Sequence, residues 1–151
     1  MKQFHSVNDI LDFAISEEDA AAEFYQRLAN TTSNPLMQQV FNEFAMEEVV
    51  HKHKLFLVKE QKLRLPAEDT IITLWKGKTV TDRMPEHALE YRQALQLAID
   101  KEKAAFQMYH ELAEAADNAS LKSLFTSLAA EETKHKVRLE LEYDTQFLTN
   151  T

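Results

Sequence analysis

Residues 44–54 read FAMEEVVHKHK, a run that holds Glu47, Glu48, His51 and His53. Nothing in it breaks a helix, and on a helix such a cluster is either a solvated charged face or half of a metal site. Residues three apart lie about 60° apart around a helix axis, so Glu48 and His51 point the same way. His53 lies about 160° round from His51 and is read as a non-ligand. One Glu-x-x-His pair is weak evidence by itself. The choice between the two readings depends on whether the chain holds a second half.

The second half lies 84 residues further on. At that offset ILDFAISEEDAAAEFYQRLA (10–29) falls on ALQLAIDKEKAAFQMYHELA (94–113), and without a gap FNEFAMEEVVHK (41–52) falls on FTSLAAEETKHK (125–136). Between Ile10–His53 and Ala94–Val137, 16 of 44 positions are identical, far more than unrelated helices share, so the chain is an internal duplication. Some identities are packing residues: Ala14/Ala98, Ala21/Ala105, Leu28/Leu112, Ala29/Ala113 and Phe41/Phe125. Others are polar: Glu18/Glu102, Tyr25/Tyr109, Asn34/Asn118, Glu47/Glu131, Glu48/Glu132, His51/His135 and Lys52/Lys136.

The asparagines are explained as helix caps. The glutamates and histidines need another reason. Glu18 sits four residues after Ala14 and three before Ala21, inside an apolar stripe, and Glu102 sits in the same way between Ala98 and Ala105. A carboxylate there would be buried, and a buried charge is very costly unless it is paired or bound to metal. Four carboxylates exceed what two histidines can neutralise, whereas two divalent cations would match them.

Four helices are expected around these residues. The first runs from about Val7 to Thr31 behind Ser6 as N-cap, with Ile10, Phe13, Ala14, Ala21, Phe24 and Leu28 on one face. After TTSNP, Asn34 caps a second helix that opens on Pro35 and carries Leu36, Val40, Phe44, Val50 and Leu55 to about Lys62. Residues 63–84 hold Pro66, the only Gly and the run IITLW, and read as a long crossover whose Trp75 covers a flank of the bundle or a partner subunit. Pro85 opens a third helix to about Asp117, and Asn118 caps a fourth from Ala119 to about Phe147. The whole, 1–151, reads as a single all-α domain with repeat halves at about 7–62 and 85–147.

Composition narrows the function. The chain has 151 residues, one Gly, three Pro and no Cys, which favours long helices and removes thiolate ligands, disulfides and cysteine catalysis. Its net charge of −8 argues against nucleic acid as a partner. No apolar run reaches the roughly 18 residues of a membrane span, and the start MKQFHSVNDI lacks the apolar segment of a signal peptide, so a cytoplasmic protein is expected. His5, His87 and His110 lack matched partners in the other repeat and are assigned to the surface.

One Glu from each of two helices with Glu-x-x-His from each of the other two resembles the ferritin-like carboxylate di-iron proteins, and among them the rubrerythrin branch. The resemblance runs from about Val7 to about Glu142. It implies a ferritin-like four-helix bundle of two tandem helical hairpins joined by a long crossover. It also implies that Glu18 and His51 ligate one metal, Glu102 and His135 the other, and that Glu48 and Glu132 bridge the pair. The metals would be two irons, with manganese or zinc compatible with the same donors. Tyr25 and Tyr109, two turns past Glu18 and Glu102, resemble the family's inward-facing tyrosines, which hydrogen-bond to ligands or oxidised species; filling the core is the other reading. Glu47 and Glu131 lie one position off the ligand face; a histidine-orienting role is open to them, but a solvated face is the preferred reading.

Two departures from the family pattern bear on activity. No cysteine-ligated rubredoxin-like centre is encoded, so an external electron donor is implied. Where full-length rubrerythrins carry a further glutamate, three residues past the third-helix ligand, this chain has Ala105, which brings the six ligands closer to the bacterioferritin set. The preferred function is an oxidoreductase that reduces hydrogen peroxide or dioxygen, in a homodimer. An iron-handling ferroxidase is the alternative, without cage storage because only 16 residues follow His135. A partner-binding or sensing bundle with structural metal is the third reading.

Overall fold

A computed structural model describes residues 7–60, 90–116 and 119–148. They form four α-helices of 25 residues each: α1 (Val7–Thr31), α2 (Pro35–Lys59), α3 (Tyr91–Ala115) and α4 (Ala119–Tyr143). At 1.5 Å per residue each is about 37 Å long. A π-helical turn, Asp144–Leu148, follows α4. No strand occurs among the described residues. Helices α1 and α2 pack as one hairpin and α3 and α4 as another.

Local chemistry accounts for the helix ends. Asn34 caps α2 as expected: its side chain accepts from the Leu36 and Met37 N–H groups at 2.9 and 3.3 Å, with Pro35 in the first turn. Helix α3 begins later than the proline suggests. Glu90 is extended (φ −63°, ψ 150°), so no helix runs from Pro85 through it. The Gln93 side chain instead accepts from the Glu90 N–H at 3.3 Å and starts the helix at Tyr91. The other ends fall a few residues short of the expected ones: α2 stops at Lys59, α3 at Ala115, and α4 gives way to the π turn after Tyr143. Ser6, Pro85, Asn118 and the crossover with Trp75 lie outside the described residues, as do His5 and His87.

The apolar core is in two parts, one at each end of the bundle. At one end Ile10, Leu11 and Ala14 of α1 meet Leu55 and Val58 of α2, Met108 and Leu112 of α3, and Phe125 and Leu128 of α4. At the other end Phe24 and Leu28 meet Met37, Phe41 and Phe44, with Leu95, Ala98 and Leu139. Each large side chain buried there contributes about 1.5–3 kcal/mol relative to exposure. The groupings also give the topology. The end of α2 lies with the end of α3, so α2 and α3 run in the same direction. Lys59 and Tyr91 therefore sit at opposite ends of the bundle, which is what a crossover requires.

Between the two apolar layers, at matching heights on all four helices, lie Glu18, Glu48, His51, Glu102, Glu132 and His135, each at most 3% exposed. Helix α2 shows how this layer misleads a reading based on hydrophobicity. Leu36 and Val50, two of the apolar residues read along this helix, are exposed, while Met37, Phe41, Phe44, Ala45, Glu48, His51, Leu55 and Val58 form the buried row. The charged pair takes two places on the inner arc and leaves the valines outside. No described helix is long and apolar enough to cross a membrane.

Candidate metal centre

The helical period puts Glu48 beside His51 and Glu132 beside His135, and the antiparallel pairing of each hairpin adds Glu18 to the first set and Glu102 to the second. His51 Nδ1 lies 3.0 Å from Glu18 Oε2, 3.0 Å from Glu48 Oε1 and 3.2 Å from Glu132 Oε1. His135 Nδ1 lies 3.4 Å from Glu102 Oε2 and 3.8 Å from the same Glu48 and Glu132 oxygens. The two imidazoles lie nearly parallel, at 19°, with centroids 6.3 Å apart. Two four-residue groups result, Glu18/Glu48/His51/Glu132 and Glu48/Glu102/Glu132/His135, each with its donor atoms within 4.8 Å of one another. Glu48 and Glu132 belong to both. All six residues singled out in the sequence are thus brought together. His53 is exposed and lies outside both groups, and His110 is exposed and paired with Glu114 at 2.9 Å.

The donors fit a pair of cations better than they fit one another. Seven buried atoms from these six residues make no hydrogen bond: Glu18 Oε2, both Glu48 oxygens, His51 Nδ1, Glu102 Oε2, Glu132 Oε1 and His135 Nδ1. Their contacts are close, but several acceptors converge on one nitrogen and none is aligned as a hydrogen bond. Even with both imidazoles protonated, four ionised carboxylates would leave an excess of negative charge. Burial, then the neighbouring carboxylates, hold the Glu48 and Glu132 carboxyls well above their usual range. Burial also raises Glu18, against the lowering effect of His51. Burial alone would lower His51, but the Glu132 and Glu18 carboxylates outweigh it and push the imidazole up to about 10. His135 is raised in the same contest, by Glu102 and Glu47. Divalent cations would relieve this crowding, displacing the protons as they bind.

The tyrosines stand at the rim of the cluster and reach across the bundle. Tyr25 donates to Glu102 Oε1 at 2.8 Å. Tyr109, its counterpart, is buried close enough to Glu18 for the carboxylate to tighten its hold on the phenolic proton, yet its hydroxyl closes no hydrogen bond. Burial, followed by the surrounding carboxylates, pushes both phenols well above their ordinary range, so both stay protonated.

Glu47 departs from the solvated face preferred for it. Its Oε2 lies 2.6 Å from Nε2 of His135, across the bundle on α4. Glu131, partly buried, is paired with Lys134 at 3.3 Å and is not recorded against a histidine. The signal that separates the two was present in the sequence, because the position aligned with Lys134 is Val50, which cannot draw Glu47 aside.

Comparison with known proteins agrees with this picture. The family model described as rubrerythrin matches residues 9–143. Among solved structures, the chain is similar to a ferritin-like diiron-carboxylate protein from Thermotoga maritima, with 22% identity and a TM-score of 0.76 over 95% of this chain and 97% of that one. A hypothetical protein from Pyrococcus furiosus shares 26% identity at a TM-score of 0.72, covering 91% of this chain and 87% of its own. An uncharacterised conserved protein from Magnetospirillum magnetotacticum MS-1 shares 26% at 0.64, covering 93% and 95%. No match was found among curated proteins. Folded like these neighbours and matched by the rubrerythrin model over most of its length, the chain belongs to the rubrerythrin family.

Proposed function

We propose that the protein is a non-haem di-iron oxidoreductase that reduces hydrogen peroxide, or dioxygen, with electrons from an external donor. The observation that carries this reading is the pair of buried four-residue groups sharing Glu48 and Glu132. In it Glu18 and His51 would hold one ion and Glu102 and His135 the other, with Glu48 and Glu132 available to both. Two ferrous ions side by side would supply one electron each and polarise the O–O bond. Reducing one peroxide to two waters takes two electrons and two protons.

The chain's own residues set the conditions for that chemistry. The four carboxylates balance the charge of two divalent ions, and their oxygen donors with two imidazoles suit iron or manganese, with zinc as a competitor. Tyr25 holds one Glu102 oxygen in place and leaves Oε2 toward the cluster. The apolar layers above and below keep bulk water from the centre. With no cysteine in this chain, electrons come from another protein or a small molecule. Met46, Val49, Val50 and Phe56, an exposed apolar row on α2, support a homodimer as part of the same reading.

The test is anaerobic protein loaded with two equivalents of ferrous ion, mixed separately with peroxide and with dioxygen, and followed by the near-ultraviolet absorbance of ferric iron. Faster oxidation by peroxide, reversed by a reductant, is the expected result. Faster oxidation by dioxygen with release of ferric iron would favour the iron-handling alternative. Failure to take up two ions would overturn the di-metal reading.

A further inference from the structure

The duplication predicts two equivalent halves, and the surroundings of the two histidines are not equivalent. Both imidazoles turn Nδ1 toward the carboxylates. On the far side of His135, Nε2 meets Glu47 Oε2 at 2.6 Å. Glu47 is 49% exposed and His135 2%, so a surface carboxylate reaches inward to grip a buried ring. An acceptor at that nitrogen keeps the proton on Nε2 and leaves the Nδ1 lone pair facing the cluster. By the repeat, Glu131 should do the same for His51. It is held by Lys134 instead, and among the described residues every carboxylate recorded against His51 approaches Nδ1.

Two further contacts favour the same half. The Phe44 ring stacks on His135 at 4.0 Å and 22°, whereas the aligned position in the other repeat is Leu128, which has no ring to stack. Tyr25 closes a 2.8 Å hydrogen bond on Glu102, whereas Tyr109, beside Glu18, is not aligned to close one. The Glu102/His135 half thus carries contacts on the outer side of its histidine that the Glu18/His51 half lacks.

We infer that Glu47 is a positioning residue that makes the two metal positions unequal, so that the Glu102/His135 position is the tighter and fills first. The inference rests on the di-metal reading above and adds to it an order of filling and the residue that sets it. An orienting partner on a ligating histidine is worth roughly ten- to a hundred-fold in metal affinity. Removing Glu47 should therefore bring the first binding constant down to about that of the second. The sequence reason for the asymmetry, Val50 against Lys134, makes it open to transfer. Lys134→Val should release Glu131 toward His51 and tighten the weaker position.

The test is anaerobic titration of the full-length protein with cobalt(II), read by its visible ligand-field bands and by calorimetry. Wild type should show two steps. Glu47→Ala should weaken the first step by roughly ten-fold or more and merge the two, with Glu47→Gln, which can still accept from Nε2–H, intermediate. Glu131→Gln, which removes the same charge from the aligned position, should leave both steps in place. Because Glu47 is half exposed, its variants should retain the wild-type fold, checked by circular dichroism of the chelated protein. Two equal constants in wild type, or an unchanged first step in Glu47→Ala, would overturn the inference. So would equal weakening of both steps by Glu47→Ala and Glu131→Gln, since that is a plain charge effect. Wild-type protein binding fewer than two ions would instead remove the di-metal reading on which it stands.

Discussion

Glu48→Gln should make the chelated protein more stable and the metal-loaded protein less so. Glu48 is fully buried, neither of its oxygens has a hydrogen-bond partner, and Glu18 and Glu102 add repulsion to the cost of its burial. Glutamine keeps the shape and removes the charge, and its amide can donate to Glu132. Near neutral pH the fold must hold this carboxyl protonated against its usual ionisation, at about 1.4 kcal/mol per pH unit, a cost that glutamine does not carry. Each kcal/mol is about 2–4 °C of Tm for a chain of this size, so a rise of at least a few degrees is expected. Metal reverses the order. At a hundred times Kd each ion stabilises wild type by about 2.7 kcal/mol, and a variant lacking a bridging carboxylate should forgo most of that. The assay is calorimetric or circular-dichroism melting of both proteins, once with chelator and once with saturating manganese(II), which avoids oxidation. A chelated variant that melts below chelated wild type would refute the idea that the centre of this bundle is strained by its own charge. A variant that gains as much from manganese as wild type would refute the bridging role.

The pH dependence of the chelated protein should run opposite to that of most paired carboxylate sites. Against the lowering effect of burial, His51 is raised from 6.5 to about 10 by Glu132 and Glu18, so its contribution is full below 6.5 and is lost as the pH climbs to 10. Glu18, Glu48 and Glu132 are raised above 4.5, so the folded chain keeps protons that the unfolded chain releases, and stability again falls with rising pH. Melting from pH 5 to 10 in chelator should therefore show a declining Tm, and a flat or rising profile would contradict the assigned environment. His53→Ala should leave two metal ions per chain by elemental analysis, and loss of one would show that the wrong histidine of the pair was chosen.

Much of the site was legible in the residues because its key relations are local. Glu48 and His51 share a face by helical period alone, and so do Glu132 and His135. The 84-residue offset then brought Glu18 and Glu102 into the same pattern. The Asn34 cap and the Pro35 start were legible for the same reason, since each depends only on its immediate neighbours. Where the sequence reading failed, it had relied on hydrophobicity or on a punctuation residue. Val50 and Leu36 lie outside because a buried arc that must hold ligands does not follow the apolar count. Helix α3 starts at Tyr91 because Gln93 closes on the Glu90 N–H, five residues past the proline that looked like the start.

The sequence by itself determined the duplication, the four-helix plan and the six residues that converge, because period and repeat are properties of the chain taken alone. Only the tertiary structure decided which groups meet across the two hairpins: Tyr25 with Glu102, and Glu47 with His135. Those pairings depend on how one hairpin is rotated against the other, a relation between residues 77 and 88 positions apart that no local rule specifies. The same packing gave two matching histidines unequal surroundings: Glu47 and Phe44 lie against His135, while the residue aligned with Glu47, Glu131, pairs with Lys134.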